Sequence, residues 1–178
     1  EMKNRQLSQV RRDKIGFIFQ EYNLLDNMTL QDNIALPLSL NGAKTGEILK
    51  RVRETAATFG LESHLGKYPY QLSGGQKQRA ASARALITNP RILFADEPTG
   101  ALDSKSGKDL LCCLKAANEA GKATIVMVTH DAYCASYAKQ VYFLKDGRIQ
   151  CCLNRQESRK AFYDEIMAML ASMGGDQE

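Results

Sequence analysis

The chain has 178 residues, 44% of them hydrophobic and 25% charged, with a formal charge of +4. That is enough for a domain with a real core, and no apolar run approaches the about 20 residues of a membrane span. No charged-then-apolar leader opens the chain and the basic residues are interspersed with acids, so a cytoplasmic protein that does not bind nucleic acid is expected, with any membrane partner on a separate chain.

Glu1 to Lys14 is polar and basic, and reads as a loop or the tail of a helix. Ile15 to Phe19 is a compact apolar run, read as a buried strand. Gln20 follows directly, at the strand end where open α/β sheets gather ligand groups. Thr29-Leu30-Gln31-Asp32 matches a capping box ahead of a helix over Asn33 to Leu40, which Pro37 should shorten or bend. Ile48, Val52, Ala56 and Phe59 lie on one helical stripe, with Gly60 as its stop. Tyr22 to Leu25 and Leu36 to Leu38 fit either a partner contact or a local core. His64 falls in a helix–loop stretch with no evident partner and is read as structural.

Leu72-Ser73-Gly74-Gly75-Gln76 opens the next helix, capped by Ser73 and running to about Thr88, where Asn89-Pro90 ends it. Ile92 to Ala95 is a second core strand, running into Asp96-Glu97. Ser104 should cap a further helix with Leu110, Leu111, Leu114 and Ala117 as its buried stripe and Gly121 at its end. Ala123 to Val128 is a third apolar strand, and it delivers Thr129-His130-Asp131. Val141 to Leu153 reads as a β-hairpin around Asp146-Gly147. Phe162, Ile166, Met169 or Leu170, and Met173 then mark a last helix, stopped at Gly174-Gly175, whose methionines read as core packing. Cys112, Cys113, Cys134, Cys151 and Cys152 include no CxxC spacing, and are expected to be reduced thiols.

Two stretches carry chemistry. A Gly-rich helix start such as Ser73 to Gln76 presents free backbone N–H groups and the positive end of the helix dipole, which suits phosphate. A strand ending in Asp96-Glu97 puts one carboxylate where it can reach Mg²⁺ and the next where it can orient water.

In this order and spacing, LSGGQ followed by ILFADEPTGALD resembles the nucleotide-binding domain of ATP-binding cassette (ABC) transporters. The resemblance makes Leu72, Ser73, Gly74, Gly75 and Gln76 the signature motif, which binds nucleotide in trans. Asp96 becomes the Walker B Mg²⁺ carboxylate, Glu97 the catalytic carboxylate, and Ala101, Leu102 and Asp103 the D-loop. FQEYNLL resembles the Q-loop, with Gln20 on Mg²⁺ and the attacking water. His130 corresponds to the switch histidine. The implied fold is α/β: a P-loop NTPase-like core sheet with an inserted helical subdomain. Its parts would be the first strand and Q-loop (1–20), the helical subdomain (21–86), the catalytic core (87–153) and a C-terminal helix (154–178). No glycine is followed by Lys-Ser/Thr at the phosphate-loop offset, so the chain is expected to be an N-terminally truncated cassette, lacking the Walker A loop and the strands before it, and inactive by itself.

FQEYNLLDNMTLQDNIALPLSL, KYPYQLSGGQKQR and VTHDAYCASYAKQVYFLKDGRI are similar to the lipoprotein-release and macrolide-export type. The match through RKAFYDEIMAMLASMGGD is closer to bacitracin-resistance exporters. The resemblance implies an ATPase subunit using ATP and Mg²⁺ on the inner face of the cell membrane. Its partners would be a permease and a second ATPase subunit, and its task the export of a peptide or small molecule. Two alternatives stand beside it: a soluble ABC ATPase outside transport, and a non-enzymatic cassette that lends its signature face to a partner.

Overall fold

A computed structural model describes residues 4–121, 123–156 and 158–174. The chain divides between Val128 and Thr129 into two compact units. In the first, β1 (Ile15–Ile18), β2 (Ile92–Asp96) and β3 (Thr124–Val128) form a parallel sheet in the order β1-β2-β3. Ile15 pairs with Ile92 and Ile92 with Thr124, so all three strands deliver their C-terminal ends to one edge. The three apolar runs of the sequence are these strands, each correct to within a residue or two.

Strand alternation sends Gly16, Ile18, Leu93 and Ala95 to a helix-covered face. On the other face Phe17, Phe19, Ile92, Val126 and Val128 are exposed, and Phe17 stacks on Phe19 and Phe94 with centroids 5.8 and 5.3 Å apart. The strands are apolar on both sides, as parallel strands are. A β-carbon on Gly16 would sit 2.7 Å from the Ala85 carbonyl, so helix α4 (Gly74–Leu86) crosses directly above β1.

Helix α1 (Asn4–Lys14) runs straight into β1; Glu1 to Lys3 lie outside the described residues. Between β1 and β2 come α2 (Leu30–Leu40), α3 (Thr45–Thr58), two 3₁₀ turns (Glu62–His64 and Pro69–Gln71) and α4. Helix α2 begins three residues before its expected start, because Thr29 caps it through Asp32 N–H and Leu30 is already in the core. It also absorbs Pro37, giving up one intrahelical bond and continuing to Leu40. Leu38 is buried and Leu24 packs against the core, whereas Leu25 is exposed. The buried Asn33 accepts from Leu25 N–H at 2.8 Å and donates to the Leu25 and Thr29 carbonyls at 3.0 Å, closing the loop ahead of α2.

Helix α5 (Ser104–Glu119) is capped by Asp103 and not by Ser104. The Asp103 carboxylate accepts from Lys105 and Ser106 N–H, both at 3.0 Å, which places Ser104 at the first helical position. Its predicted stripe of Leu110, Leu111, Leu114 and Ala117 is buried.

The second unit holds α6 (Ala132–Ala135), the hairpin β4 (Gln140–Lys145) and β5 (Arg148–Asn154), and α7 (Arg159–Gly174). Asp146 and Gly147 both take left-handed backbone angles (φ 53 and 71), as a two-residue hairpin turn requires. Phe143, Phe162 and Ile166 form the core, with Met169 and Met173 packed against it and Leu170 exposed. The methionine stripe is therefore packing. Gly175, the second half of the expected stop, lies outside the described residues.

Candidate functional site

The C-terminal edge of the sheet gathers the acidic and amide candidates. Asp96 is the last residue of β2 and is exposed. Glu97 turns sharply away from the strand at φ 42, a left-handed angle uncommon for a side chain of its size. Two bonds hold that turn: Glu97 N–H donates to the Val128 carbonyl at 2.9 Å, and Gly100 N–H donates to the Glu97 carbonyl at 3.0 Å. A β-carbon on Gly100 would lie 3.2 Å from Gln20 Nε2 and 3.4 Å from the Glu97 carbonyl oxygen. Gln20, leaving β1, thus reaches across the Glu97–Gly100 loop, and the absent side chain at Gly100 gives it room. The Asp96 carboxylate and the Gln20 amide oxygen are hard oxygen donors at the ends of neighbouring strands. They fit a Mg²⁺ ion that keeps most of its coordination for water and phosphate. His130 lies in the second unit, between Thr129, which accepts from Asp131 N–H at 3.1 Å, and Asp131, which caps α6 through Tyr133 N–H at 2.8 Å.

The second assembly is the start of α4. Leu72 is buried and anchors the turn, and Ser73 is the N-cap. A helix start leaves four N–H groups without intrahelical partners, here those of Ser73, Gly74, Gly75 and Gln76. A reciprocal capping box takes the outer two: Gln76 N–H donates to Ser73 Oγ at 3.3 Å, and Ser73 N–H donates to Gln76 Oε1 at 2.9 Å. The two glycine N–H groups have no acceptor from the capping box or from the backbone among the described residues. The Ser73 hydroxyl accepts within the cap and keeps its own proton to donate, so cap and ligand are compatible roles for it.

The glycines are also demanded by packing. A β-carbon on Gly75 would lie 2.6 Å from Ser106 Oγ and 2.7 Å from Ser106 Cβ, so α4 meets the start of α5 backbone to side chain. On Gly74 it would lie 3.0 Å from the Tyr22 hydroxyl and 3.9 Å from the Ala101 carbonyl oxygen. The loop after β1 and the loop before α5 both border the start of α4. In the second of them, Ala101 is exposed, Leu102 packs on the core and Asp103 caps α5. The hydrogen bonds from Ser106 to its carboxylate hold the Asp103 pKa below the usual value.

Sequence reasoning missed what joins the two assemblies. Gln78 is 1% exposed, and its Nε2 donates to the Phe19 carbonyl at 3.1 Å and to the Pro98 carbonyl at 2.9 Å. It bolts the end of β1 to the loop after β2. Arg84, further along α4, donates to the Asn23 carbonyl at 2.7 Å and the Tyr22 carbonyl at 3.2 Å, where both residues take left-handed angles (φ 49 and 52). Burial pushes the Arg84 pKa down. The available signal was a Gln sharing its helical face with Ala81 and Ser82. His64, read as partnerless, is instead bonded to both Ser63 and Gln76.

The sequence profile of the ABC transporter family matches residues 1–100. The chain belongs to the ABC transporter family. The bacitracin export ATP-binding protein BceA of Halalkalibacterium halodurans is 50% identical over 177 residues, covering 99% of this chain and 70% of that protein. The macrolide export ATP-binding/permease protein MacB of Aggregatibacter actinomycetemcomitans is 43% identical over 161 residues, 90% of this chain and 25% of that protein. Among solved structures, a dimeric post-hydrolysis state of the ATP-binding cassette MJ0796 from Methanocaldococcus jannaschii, bound to ADP and Pi, superposes with a TM-score of 0.77. It is 40% identical, over 89% of this chain and 70% of that one. The parallel sheet with helices inserted between β1 and β2 is accordingly the core of an ABC cassette.

Proposed function

We propose that this ABC family chain is the ATP-binding and ATP-hydrolysing part of an exporter, and that its signature turn completes a nucleotide site held mainly by a second cassette. The observation that carries the proposal is the division of labour at the start of α4. The capping box occupies the Ser73 and Gln76 N–H groups and leaves those of Gly74 and Gly75, at the positive end of the helix dipole, for phosphate oxygens.

Bound Mg²⁺–ATP would supply the γ-phosphoryl group and neutralise its developing charge. Asp96 and Gln20 are the residues suited to hold the ion. Glu97 is the group that would orient the attacking water and take its proton; two backbone hydrogen bonds fix the point from which its side chain starts. His130 would serve the γ-phosphate, a role that rests on the resemblance of the Val128-Thr129-His130-Asp131 segment to the family's switch histidine. Ser73, Gly74 and Gly75 would approach the same phosphate from the opposing subunit, with Ala101, Leu102 and Asp103 beside them. The relatives named for bacitracin and macrolide export favour a peptide or small-molecule cargo. A membrane permease is the coupled partner, a reading supported by the relatives named as an export ATP-binding protein and an ATP-binding/permease protein. The working place is then the cytoplasmic face of the membrane.

The test is Ser73→Arg in a cassette carrying the complete family domain. The side chain would fill the space between the turn and an opposing phosphate. ATP-driven pairing and hydrolysis should be lost while ATP binding to the single subunit persists. Normal turnover in that variant would refute the signature role.

A further inference from the structure

We propose that His64 is a positioning residue for the signature turn: its neutral imidazole accepts from the Gln76 amide and so holds the amide oxygen on the Ser73 N–H. The inference rests on the reading of Ser73 to Gln76 as a nucleotide-facing turn, and it adds a residue outside that motif which sets its geometry.

The chain of bonds has one consistent arrangement. Ser73 N–H can only donate, so the atom 2.9 Å from it must be the Gln76 oxygen. The Gln76 NH₂ is then the end that meets His64 Nε2, also at 2.9 Å. An amide NH₂ can only donate, so Nε2 must carry a lone pair and the ring proton must sit on Nδ1. Nδ1 in turn lies 3.0 Å from Ser63 Oγ, an acceptor for that proton. The capping box is therefore the middle of a relay from Ser63 through His64 and Gln76 to Ser73. Its anchor is a 3₁₀ turn twelve residues upstream of Gln76.

Protonation of His64 breaks the relay. The imidazolium carries a proton on each nitrogen, and Nε2–H would face the Gln76 NH₂ donor to donor. Rotating the amide would relieve that clash, but it would turn the NH₂ toward Ser73 N–H and open the capping box. The charged groups around the ring are Lys67, on the loop after the 3₁₀ turn, and Arg79, one helical turn beyond Gln76. Both are cations. Burial first, then these two charges, hold the His64 pKa below its usual value. The neutral, accepting ring is thus the form that the fold favours. Stability from the relay is present in full above the ordinary histidine pKa and is lost as the pH falls through the lower folded-state value.

The experiment uses the 178-residue chain without nucleotide, so its outcome is independent of whether the turn binds phosphate. Imidazole ¹⁵N shifts read the His64 tautomer, and hydrogen exchange reads the protection of the Ser73 amide, each followed against pH. The neutral ring should be the Nδ1–H tautomer. Ser73 protection should fall roughly two- to tenfold as His64 protonates, the range for loss of one hydrogen bond. His64→Leu, which has no acceptor, should show the low protection at every pH. His64→Gln, which can place an amide oxygen near the position of Nε2 and does not titrate, should restore high protection and flatten the profile. An Nε2–H tautomer, or equal Ser73 protection in wild type and His64→Leu across the titration, overturns the inference. Loss of the relay with Ser73→Arg still blocking ATP-driven pairing would refute His64 alone. An intact relay with pairing unaffected by Ser73→Arg would refute the nucleotide reading.

Discussion

Gly75→Ala separates two reasons for a glycine in the signature turn. Phosphate binding asks only for an accessible N–H, which alanine retains. Packing asks for the missing β-carbon, because that atom would lie 2.7 Å from Ser106 Cβ and 2.6 Å from its Oγ. The hydroxyl can rotate away, but the Ser106 β-carbon is fixed to its helix, so α4 and α5 must part by several tenths of an ångström. Overpacking of this kind costs about 1–3 kcal/mol. Opposing it is the greater helix propensity of alanine, at most about 1 kcal/mol and smaller in a first turn. Steric strain wins, and the net loss is about 1–2 kcal/mol, a fall in Tm of roughly 2–8 °C for a chain of this size. Gly74→Ala is the control. Its β-carbon would meet the hydroxyl at the far end of the Tyr22 side chain, which can swing aside, so the change should stay within about 0.5 kcal/mol. Thermal unfolding of Gly75→Ala, Ser106→Gly and the double variant closes a cycle, and a favourable coupling of about 1 kcal/mol or more should appear between the two sites. If Gly75→Ala melts at or above the wild-type temperature, the close approach of α4 to α5 is not the constraint derived above.

Three further outcomes are expected. In a cassette with the complete family domain, Glu97→Gln should retain ATP and lose turnover by about 10²–10⁴-fold, the range for a general base, as steady-state phosphate release would measure; undiminished release would remove Glu97 from that role. Gln78→Leu should destabilise the fold by about 2 kcal/mol, because it strands the Pro98 carbonyl in a buried place and the Phe19 carbonyl in a part-buried one; an unchanged urea midpoint would mean that those carbonyls find water. The Asp103 carboxylate titrates below its usual range in the folded chain, so its contribution is complete above the ordinary Asp value and is lost as the pH falls through the folded one. Asp103→Asn should therefore flatten part of the acid limb of the stability profile below the ordinary Asp value, and parallel profiles for the two proteins would contradict the cap.

Local patterns were enough to find the three strands of the parallel sheet and to put Gln20, Asp96 and Glu97 at their ends. The reason is that parallel strands buried among helices are short apolar runs, and that a chain reversing at a strand end needs polar and glycine residues there. Ile15 to Phe19, Ile92 to Ala95 and Ala123 to Val128 are such runs, and Gln20, Asp96 and Glu97 stand at their ends. Capping was legible where the geometry is local, as at Thr29 and Ser73. It failed at α5, where Asp103 and Ser104 are both good caps and only the backbone angle of Asp103 decides between them. What the sequence could not yield is any contact whose partners are distant along the chain. Gln78 reaching back 59 residues to Phe19, Arg84 holding the Asn23 carbonyl, Ser106 pressed on Gly75 and His64 on Gln76 are of this kind. A polar residue on a helix looks the same in sequence whether it meets water or a carbonyl from another loop. Only the crossing of α4 over β1 and its approach to α5 determine which. The composition of the site was thus written in short stretches, and the connection between its parts belongs to the tertiary packing of one helix, because desolvation by that packing is what makes a bond such as Gln78 to the Pro98 carbonyl obligatory.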